Sequence, residues 1–259
     1  MFITNETIQK LNQFKKLRYI QISLDGSSPE IHDQIRGKGS FNKALNGIRL
    51  LIANKIETRV MFTLQRLNMS DVSNIIDLCI QEGVSGITIE RIIPNTIKDY
   101  FSKQEIYNIF KYISDRADNE YEKGTKLKIL KYRPLWINLD PCRAKFGMNT
   151  PIYKDLGGLC SAGLDGVCIL PNADILACRR LPIIIGNLKK DSLEKIWVES
   201  KLLWEIRNKN NLKGKCYLCE YSSRCGGCRS MAFAYTGDYL AEDPHCWKDL
   251  NNKKSNNYL

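Results

Sequence analysis

Cysteine spacing constrains this chain more than any other feature of its sequence. Five cysteines fall between positions 216 and 246, in the pattern Cys-x2-Cys-x5-Cys-x2-Cys-x17-Cys, and three more lie between positions 160 and 178. A Cys-x2-Cys turn lets two thiolates point at one metal, and a second pair completes a four-ligand site. Eight thiols exceed one such site and match two: Cys160, Cys168, Cys178, Cys216, Cys219, Cys225, Cys228 and Cys246. We therefore expect this part of the chain to fold around metal.

Three chemistries fit eight clustered thiols: iron–sulfur clusters, structural zinc and disulfides. Disulfides need an oxidising compartment, and the polar segment Met1–Phe14 lacks the apolar core of a secretory signal. No run of residues reaches the apolar length of a membrane span, so we expect a cytoplasmic protein with reduced thiols. Zinc also uses four cysteines on Cys-x2-Cys arms, so spacing alone separates iron from zinc poorly.

The other two of the ten cysteines are not expected to bind metal. Cys79 shares one helical face with Val72, Ile75 and Ile76, which is typical of a small buried thiol. Cys142 lies in a predicted linker without a partner at ligand spacing. Both are interpreted as structural or incidental.

The chain is basic, with 39 Lys and Arg against 28 Asp and Glu and a formal net charge of +11. Such a balance favours acidic partners, among them nucleic acid, anionic lipid and acidic peptides. The positive residues are scattered, with no block longer than short pairs such as Lys189-Lys190. We interpret them as a solvated basic surface, because the alternation of aromatic and basic residues typical of nucleic-acid-binding modules is lacking.

The first half of the chain alternates strand and helix patterns. Segments rich in β-branched and aromatic residues predict strands at Arg18–Leu24, Thr58–Leu64 and Gly86–Arg91. Apolar residues at helical spacing predict helices at Ser40–Asn54 and Asp71–Glu82, and a capping box of Ser102 and Glu105 begins a third. Strands separated by helices imply βαβ units, a parallel sheet and an α/β fold.

The pattern changes after about residue 121, and the sequence predicts four parts. Residues 1–122 form the α/β part, 123–156 a linker without clear periodicity, 157–250 a cysteine-rich domain and 251–259 a disordered tail. Within the cysteine-rich part, Val167–Ala177 predicts a hairpin and Leu193–Arg207 predicts a helix.

Two segments of the second half resemble the SPASM domain, a C-terminal extension of radical SAM enzymes that carries auxiliary clusters. CYLCEYSSRCGGCRSMAFAYTGDYLAEDPHC, at 216–246, closely resembles its main motif. CSAGLDGVCILPNADILAC, at 160–178, resembles its opening motif, with Ala173 at a position where the family has glycine. The CGGCR variant is most similar to maturases of pyrroloquinoline quinone, mycofactocin and haem-type cofactors.

The first half is similar to the matching part of a radical SAM barrel. ISLDGSSPEIHDQIRGKGSFNKALNGIRLL, at 22–51, resembles its fourth strand and following helix, and ERIIPN, at 90–95, resembles a later strand. The resemblance implies a partial (β/α)6 barrel that lacks its first strands, followed by a small SPASM domain. It also implies two auxiliary [4Fe–4S] clusters and S-adenosylmethionine as cofactors.

The same resemblance assigns site residues. Cys216, Cys219, Cys225 and Cys246 would hold an outer cluster. Cys160, Cys178 and Cys228 would hold an inner one, with Cys168 either its fourth ligand or a buried strand residue. Four residues at strand ends or in the following helix would face S-adenosylmethionine or substrate, or else cap a loop or form an ion pair: Ser23, Asp25, Arg36 and Arg91.

One part of the family pattern is missing from these 259 residues. The radical-generating cluster of the family is held by Cys-x3-Cys-x2-Cys, and this chain has no cysteine before Cys79 and no such triplet. The opening FITNETIQKL resembles the family's third strand, with Glu6 in place of a glycine. A fragment, a split subunit, a mis-assigned start and a decayed copy are all consistent with this pattern.

The function implied by the resemblance is 5′-deoxyadenosyl radical modification of a peptide or peptide-derived substrate. Alternatives are modification of a haem precursor, a non-catalytic cluster-bearing subunit that relays electrons or docks substrate, and a zinc-stabilised nucleic-acid-binding module. Expected partners are the substrate, a radical SAM chain that supplies the missing segment, and an electron donor such as flavodoxin or ferredoxin.

Overall fold

A computed structural model describes residues 3–94, 96, 99–131, 134–139 and 160–250 of the chain. These residues form two compact units. The first takes in the described residues up to Ile92 together with Asn108–Leu130, and the second takes in Ile93–Tyr107 and the described residues from Lys131 onward. Cys142, the predicted tail and part of the predicted linker lie outside the described residues.

A four-stranded parallel sheet forms the centre of the first unit. Its strands, in spatial order, are β1 (Ile20–Ser23), β2 (Thr58–Leu64), β3 (Gly86–Arg91) and β4 (Lys128–Leu130). Parallel register brings the carboxyl ends of the strands to one edge, where Ser23 lies opposite Met61 and Leu64 lies opposite Arg91. All six residues of β3 are buried, as expected for an inner strand covered on both faces.

Five helices lie in the first half of the chain: α1 (Asn5–Leu11), α2 (Pro29–Arg36), α3 (Ser40–Ala53), α4 (Val72–Gln81) and α5 (Lys103–Glu122). The stripe of α3 formed by Phe41, Leu45, Ile48 and Leu51 is buried, which explains its helical spacing. The Asp33 carboxylate accepts hydrogen bonds from the Gly39 and Phe41 amides and so satisfies the start of α3.

The predicted strands and helices of the first unit are present, with one addition. β4 lies in the stretch that sequence periodicity assigned to a linker, and it pairs with β3 so that Lys128 faces Gly86. A strand of three residues is too short to show a period of two, so only its neighbour in the sheet reveals it. β1 is also shorter than predicted.

The second unit contains an antiparallel sheet of β5 (Cys168–Ile169), β6 (Asp174–Cys178) and β7 (Leu181–Asn187). The predicted hairpin is formed by β5 and β6. Ala173, in its turn, has a φ of 73°, a left-handed conformation that favours glycine. The alanine therefore tolerates strain of about 1–2 kcal/mol at the position where the family has glycine.

The described part of the second unit also contains helices α6 (Leu193–Glu199), α7 (Lys201–Arg207), α8 (Gly214–Leu218) and α9 (Arg229–Thr236). The helix predicted at Leu193–Arg207 is broken at Ser200, whose hydroxyl accepts a hydrogen bond from the Leu203 amide and caps α7. A small core joins sheet and helices: Ala162, Ala177, Leu181, Leu203 and Ile206. In the described part of the chain no helix is both long and apolar enough to cross a membrane.

Candidate metal centre

Four of the predicted ligands line one cavity in the second unit. The cavity is partly open to solvent, and its thiols are those of Cys216, Cys219, Cys225 and Cys246. Leu135, Asn138 and the two glycines between Cys225 and Cys228 complete much of its wall. We call this space the four-thiol cavity.

Local backbone conformation brings these thiols together. Cys216 lies on the short helix α8 and Cys219 directly follows that helix. Gly226 and Gly227 have φ values of 62° and 64°, so two successive left-handed residues turn the chain directly after Cys225. At Gly227 an added Cβ would lie 2.8 Å from an Arg229 guanidinium nitrogen and 3.2 Å from the Cys216 sulfur, which leaves no room for a side chain.

Each sulfur of the four-thiol cavity has an N–H group near it. The Leu135 amide lies 3.4 Å from the Cys225 Sγ, and the Asn138 side-chain amide lies 3.8 Å from the Cys246 Sγ. The Tyr221 amide lies 3.4 Å from the Cys219 Sγ, and Arg229 Nη2 lies 3.8 Å from the Cys216 Sγ. Such donors stabilise a negative charge on sulfur and tune a metal centre.

Burial favours the protonated form of three of these thiols when no metal is bound. It raises the pKa of Cys216 and of Cys246, and it raises the pKa of Cys225 to about 12. Metal binding must therefore displace protons. Lys215 and Lys248 also line the cavity and offer positive charge to thiolates that form there.

A second thiol group consists of Cys160, Cys178 and Cys228. Arg180 connects two of them, with its amide 3.5 Å from the Cys178 Sγ and its Nη2 3.9 Å from the Cys228 Sγ. The pKa of Cys160 is raised by burial of the sulfur and by the nearby Cys228 thiol. The backbone of Arg229 and Ala162 and the positive charge of Arg229 act against this rise.

Cys168 lies on the same antiparallel sheet as Cys178 of this second thiol group. It begins β5 and lies opposite Leu176, two residues before Cys178 on β6. Its side chain is half-buried. Its role as a ligand stays a prediction.

The donor set is suited to an iron–sulfur cluster. Four thiols line one cavity, each with an N–H donor near its sulfur. Four thiolates can bind the iron corners of such a cluster, and N–H donors near the sulfurs tune it.

Asp243 links the two thiol groups, and sequence reasoning did not single it out. Its carboxylate is fully buried and accepts hydrogen bonds from the amides of Cys228, at 2.8 Å, and His245, at 3.0 Å. Cys228 belongs to the second thiol group, whereas His245 precedes Cys246 of the four-thiol cavity. The Asp-Pro pair before the last cysteine was the available signal.

The predicted residues of the first unit lie at the carboxyl edge of the parallel sheet. Ser23 ends β1 and is half-buried, and Arg91 ends β3 and is buried. Asp25 is buried and binds Arg36 Nε through one oxygen and the Thr63 amide through the other. Arg36 therefore pairs with Asp25 within the protein, one of the two roles that the sequence left open.

Sequence reasoning also missed the polar residues that hold the loop after β1. The Asn68 side-chain amide donates to the carbonyl oxygens of Asp25 and Thr63, both at 3.0 Å. The Asp71 carboxylate accepts hydrogen bonds from the amide and the hydroxyl of Ser27. Asn68 and Asp71 lie in the short helical turn Arg66–Asp71. The sequence of that turn gives no sign of hydrogen bonds to the loop after β1.

Comparison with known families agrees with this geometry. Residues 1–79 match the model of the radical SAM superfamily, and residues 160–238 match the model of SPASM, an iron–sulfur cluster-binding domain. The chain carries a radical SAM segment and a SPASM domain. The predicted family and the predicted α/β fold with a following SPASM domain are thereby confirmed.

Curated relatives of this chain include three named AdoMet-dependent heme synthase. The protein of Methanosarcina barkeri is 27% identical over 94% of this chain, and that of Oleidesulfovibrio alaskensis is 28% identical over 87%. The protein of Nitratidesulfovibrio vulgaris is 28% identical over 94% of the chain. The chain spans 71%, 60% and 68% of their respective lengths.

Solved structures share the fold at low sequence identity. SuiB of Streptococcus suis bound to S-adenosylmethionine has a TM-score of 0.69 at 15% identity, over 96% of this chain and 58% of SuiB. Native anSMEcpe with bound AdoMet also has a TM-score of 0.69, at 16% identity, over 94% of this chain and 67% of anSMEcpe. These likenesses support the fold of the radical SAM segment and the SPASM domain.

Proposed function

We propose that the SPASM domain of this chain holds two auxiliary [4Fe–4S] clusters that serve radical modification of a peptide or peptide-derived substrate. The observation that carries the proposal is the four-thiol cavity, where four cysteines surround one space and each sulfur has an N–H neighbour. A structural zinc ion would instead draw four thiolates to one point at about 2.3 Å from the metal.

The proposed ligands divide between the two thiol groups. Cys216, Cys219, Cys225 and Cys246 bind the outer cluster in the four-thiol cavity. The second thiol group, Cys160, Cys178 and Cys228, binds the inner cluster, and Cys168 is its proposed fourth ligand by family resemblance. Cys225 and Cys228 go to different clusters although only two residues separate them, and the left-handed Gly226 and Gly227 permit that divergence.

Clusters of this kind, when bound, pass single electrons to or from a substrate or ligate it through iron. The chain's own residues prepare the sites for that chemistry. Leu135, Asn138, Tyr221 and Arg229 direct N–H groups at the outer sulfurs, and Arg180 does so for Cys178 and Cys228. Asp243 fixes the backbone of both groups at once.

The first unit contributes a proposed site for S-adenosylmethionine or substrate at the sheet edge. Barrel enzymes build their sites at the carboxyl ends of strands, where Ser23 and Arg91 lie. Asp25 holds the Arg36 guanidinium by Nε, and about a third of the Arg36 side chain stays exposed. In that orientation Arg36 is suited to bind a carboxylate.

The substrate class rests on two different comparisons. A peptide is favoured by the shared fold with structures described as SuiB bound to precursor peptide SuiA and anSMEcpe with bound AdoMet and Cp18Cys peptide. A haem precursor is the second candidate, because the curated relatives at 27–28% identity are named heme synthases. A Soret-band shift on adding a carboxylated iron porphyrin, without binding of peptides, would favour the second candidate.

Metal analysis after anaerobic purification or reconstitution tests the cluster proposal. The expected result is a brown protein with iron and sulfide for up to two clusters, and Cys225→Ser should lose roughly half of the iron. Cys79→Ser is the matched control, because burial raises the pKa of both thiols to about 12 but Cys79 lies on α4 of the first unit and does not line the four-thiol cavity. Stoichiometric zinc with negligible sulfide would overturn the proposal.

A further inference from the structure

Arg229 is the largest fully buried side chain in the described part of the protein. It begins α9 directly after Cys228, and only 1% of it is exposed. Burial of a charged side chain is expensive unless other groups compensate for the lost water. The neighbours of its guanidinium therefore indicate what the charge does.

Two of the three guanidinium nitrogens have defined partners. Nη1 donates to the carbonyl oxygens of Tyr239, at 2.9 Å, and Ala241, at 2.8 Å. Nη2 lies 3.8 Å from the Cys216 sulfur, and Nε is buried without a hydrogen-bond partner. Since Arg229 forms no salt bridge among the described residues, no carboxylate pairs directly with its positive charge.

Arg229 also lies next to the other thiol group. It directly follows Cys228 in the chain, and its positive charge acts on the Cys160 thiol. One residue thus contacts Cys216 of the four-thiol cavity through its guanidinium and adjoins Cys228 of the second thiol group through its backbone.

Lys209 supplies a second positive charge to the same place. It is half-buried, and its charge acts on the thiols of Cys160, Cys225 and Cys216. Its Nζ lies 3.3 Å from the position that a Cβ on Gly226 would occupy, next to Cys225. The charges of Lys209 and Arg229 therefore both act on thiols of the two groups.

We infer that Arg229 and Lys209 form a cationic bridge between the two clusters that raises both reduction potentials. The inference rests on the proposed function, since it requires a cluster in each thiol group. Each cluster gains one negative charge on reduction. A second anionic cluster nearby destabilises that charge, and a buried cation between the two clusters stabilises it. The bridge makes Arg229 and Lys209 positioning and tuning residues rather than ligands.

A merely structural role for Arg229 has a matched control in the same unit. Arg207 is also partly buried and donates to two backbone carbonyls, those of Gly163, at 2.7 Å, and Trp197, at 2.9 Å. It contacts none of the sulfurs in the described residues. Arg207→Gln therefore removes a packed cation and its hydrogen bonds to two carbonyl oxygens. It leaves the charges near the thiol groups unchanged.

The experiment is an anaerobic redox titration of the reconstituted full chain with dithionite, followed by electron paramagnetic resonance. Iron and sulfide are measured first in every variant. We expect Arg229→Gln to lower both midpoint potentials, with a tenfold change in each reduction equilibrium, about 59 mV for one electron. Lys209→Gln should shift both potentials in the same direction by less, Arg229→Lys should stay near the wild-type values, and Arg207→Gln should leave them unchanged.

The outcomes separate this inference from the proposed function. Wild-type protein without iron and sulfide would remove the cluster proposal itself. Loaded variants whose potentials match the wild type, or shift no more than in Arg207→Gln, would overturn the cationic bridge and leave the clusters in place. If Arg229→Gln fails to fold, Lys209→Gln tests the inference instead, because the Lys209 side chain is only half-buried. Unchanged potentials in that variant would overturn the inference.

Discussion

Buried polar residues hold the loop after β1 in one conformation. The Asp25 amide donates to Nδ1 of His32, and the Asp25 carbonyl accepts from Asn68. Both side chains are almost completely buried. An unsatisfied buried group costs about 1–3 kcal/mol, so these bonds fix the Asp25 carboxylate where it meets Arg36.

His32 makes the stability of the first unit depend on pH. Burial lowers its pKa, so the folded protein holds the imidazole proton less tightly than the unfolded chain. The contribution of neutral His32 to the free energy of unfolding is therefore fully present above the unfolded pKa of about 6.5. It is lost as the pH falls toward the lowered pKa of His32 in the folded protein. We expect the melting temperature to fall more between pH 7.5 and 5.5 in the wild type than in His32→Gln, as followed by circular dichroism.

The comparison within the pair controls for other titrating groups. His32→Gln should itself cost about 1–2 kcal/mol at pH 7.5, because the Asp25 amide loses a well-placed acceptor. Only the change in melting temperature between pH 7.5 and pH 5.5, compared between wild type and variant, reports on the imidazole. Equal losses in wild type and variant would show that His32 does not titrate in this range.

Burial alone does not reveal which thiols bind metal. Cys79 and Cys225 are both buried, and the pKa of each is raised to about 12. The sequence predicts Cys79 as a buried thiol from its place on an apolar helical face, and the structure confirms this with 1% exposure on α4. Cys225 differs because it lies among other thiols, which cysteine spacing anticipates.

At the scale of the element, the turn between Cys225 and Cys228 determines the geometry of both thiol groups. Gly226 and Gly227 adopt left-handed conformations in succession, which other residues do only at a cost of about 1–2 kcal/mol each. At Gly227 a side chain would also meet Arg229 and Asp243 at 2.8 Å. The turn therefore excludes side chains for two separate reasons.

Gly227→Ala should impair cluster assembly, and Gly237→Ala should not. Gly237 is also left-handed, with a φ of 75° at the end of α9, but an added Cβ there meets no atom within 4 Å. We expect Gly227→Ala to lose at least half of the iron and sulfide of reconstituted wild-type protein. Gly237→Ala should retain them with a stability loss of about 1 kcal/mol. Equal iron contents in the two variants would contradict the steric argument.

Sequence patterns predict the elements whose periodicity extends over a turn or more. β2, β3 and the stripe of α3 are found where alternation or helical spacing places them. β4 could not be predicted, because a strand of three residues shows no period. The break at Ser200 could not be predicted either, because a single serine inside a helical pattern is ambiguous. The thiols of the candidate site can be predicted from spacing, whereas the role of Arg229 depends on contacts between residues far apart in sequence.

At the scale of the whole molecule, the four-thiol cavity and the radical SAM segment make different demands. The cavity needs only residues of the second unit. Cleavage of S-adenosylmethionine in this family needs an iron with an open coordination site, held by Cys-x3-Cys-x2-Cys. The 259 residues contain no such triplet, and no cysteine precedes Cys79.

We therefore expect the 259-residue chain alone to make no 5′-deoxyadenosine above background, even with full auxiliary clusters and dithionite. Four of the eight cysteines close the proposed outer cluster, and the family resemblance assigns the other four to the inner one. A radical also needs a site that excludes water. The measurement is anaerobic incubation with S-adenosylmethionine followed by chromatography, on protein whose iron and sulfide contents have been verified.

A segment that carries Cys-x3-Cys-x2-Cys, fused to the chain or supplied as a partner, should restore 5′-deoxyadenosine formation. The matched control is the same segment with its three cysteines changed to alanine, which supplies equal chain length without iron ligands. Restoration by both segments would mean that the added cysteines are not the source of the activity. Robust 5′-deoxyadenosine from the 259-residue chain alone would contradict the prediction outright and would require an open-coordination cluster built from the thiols assigned here to auxiliary sites.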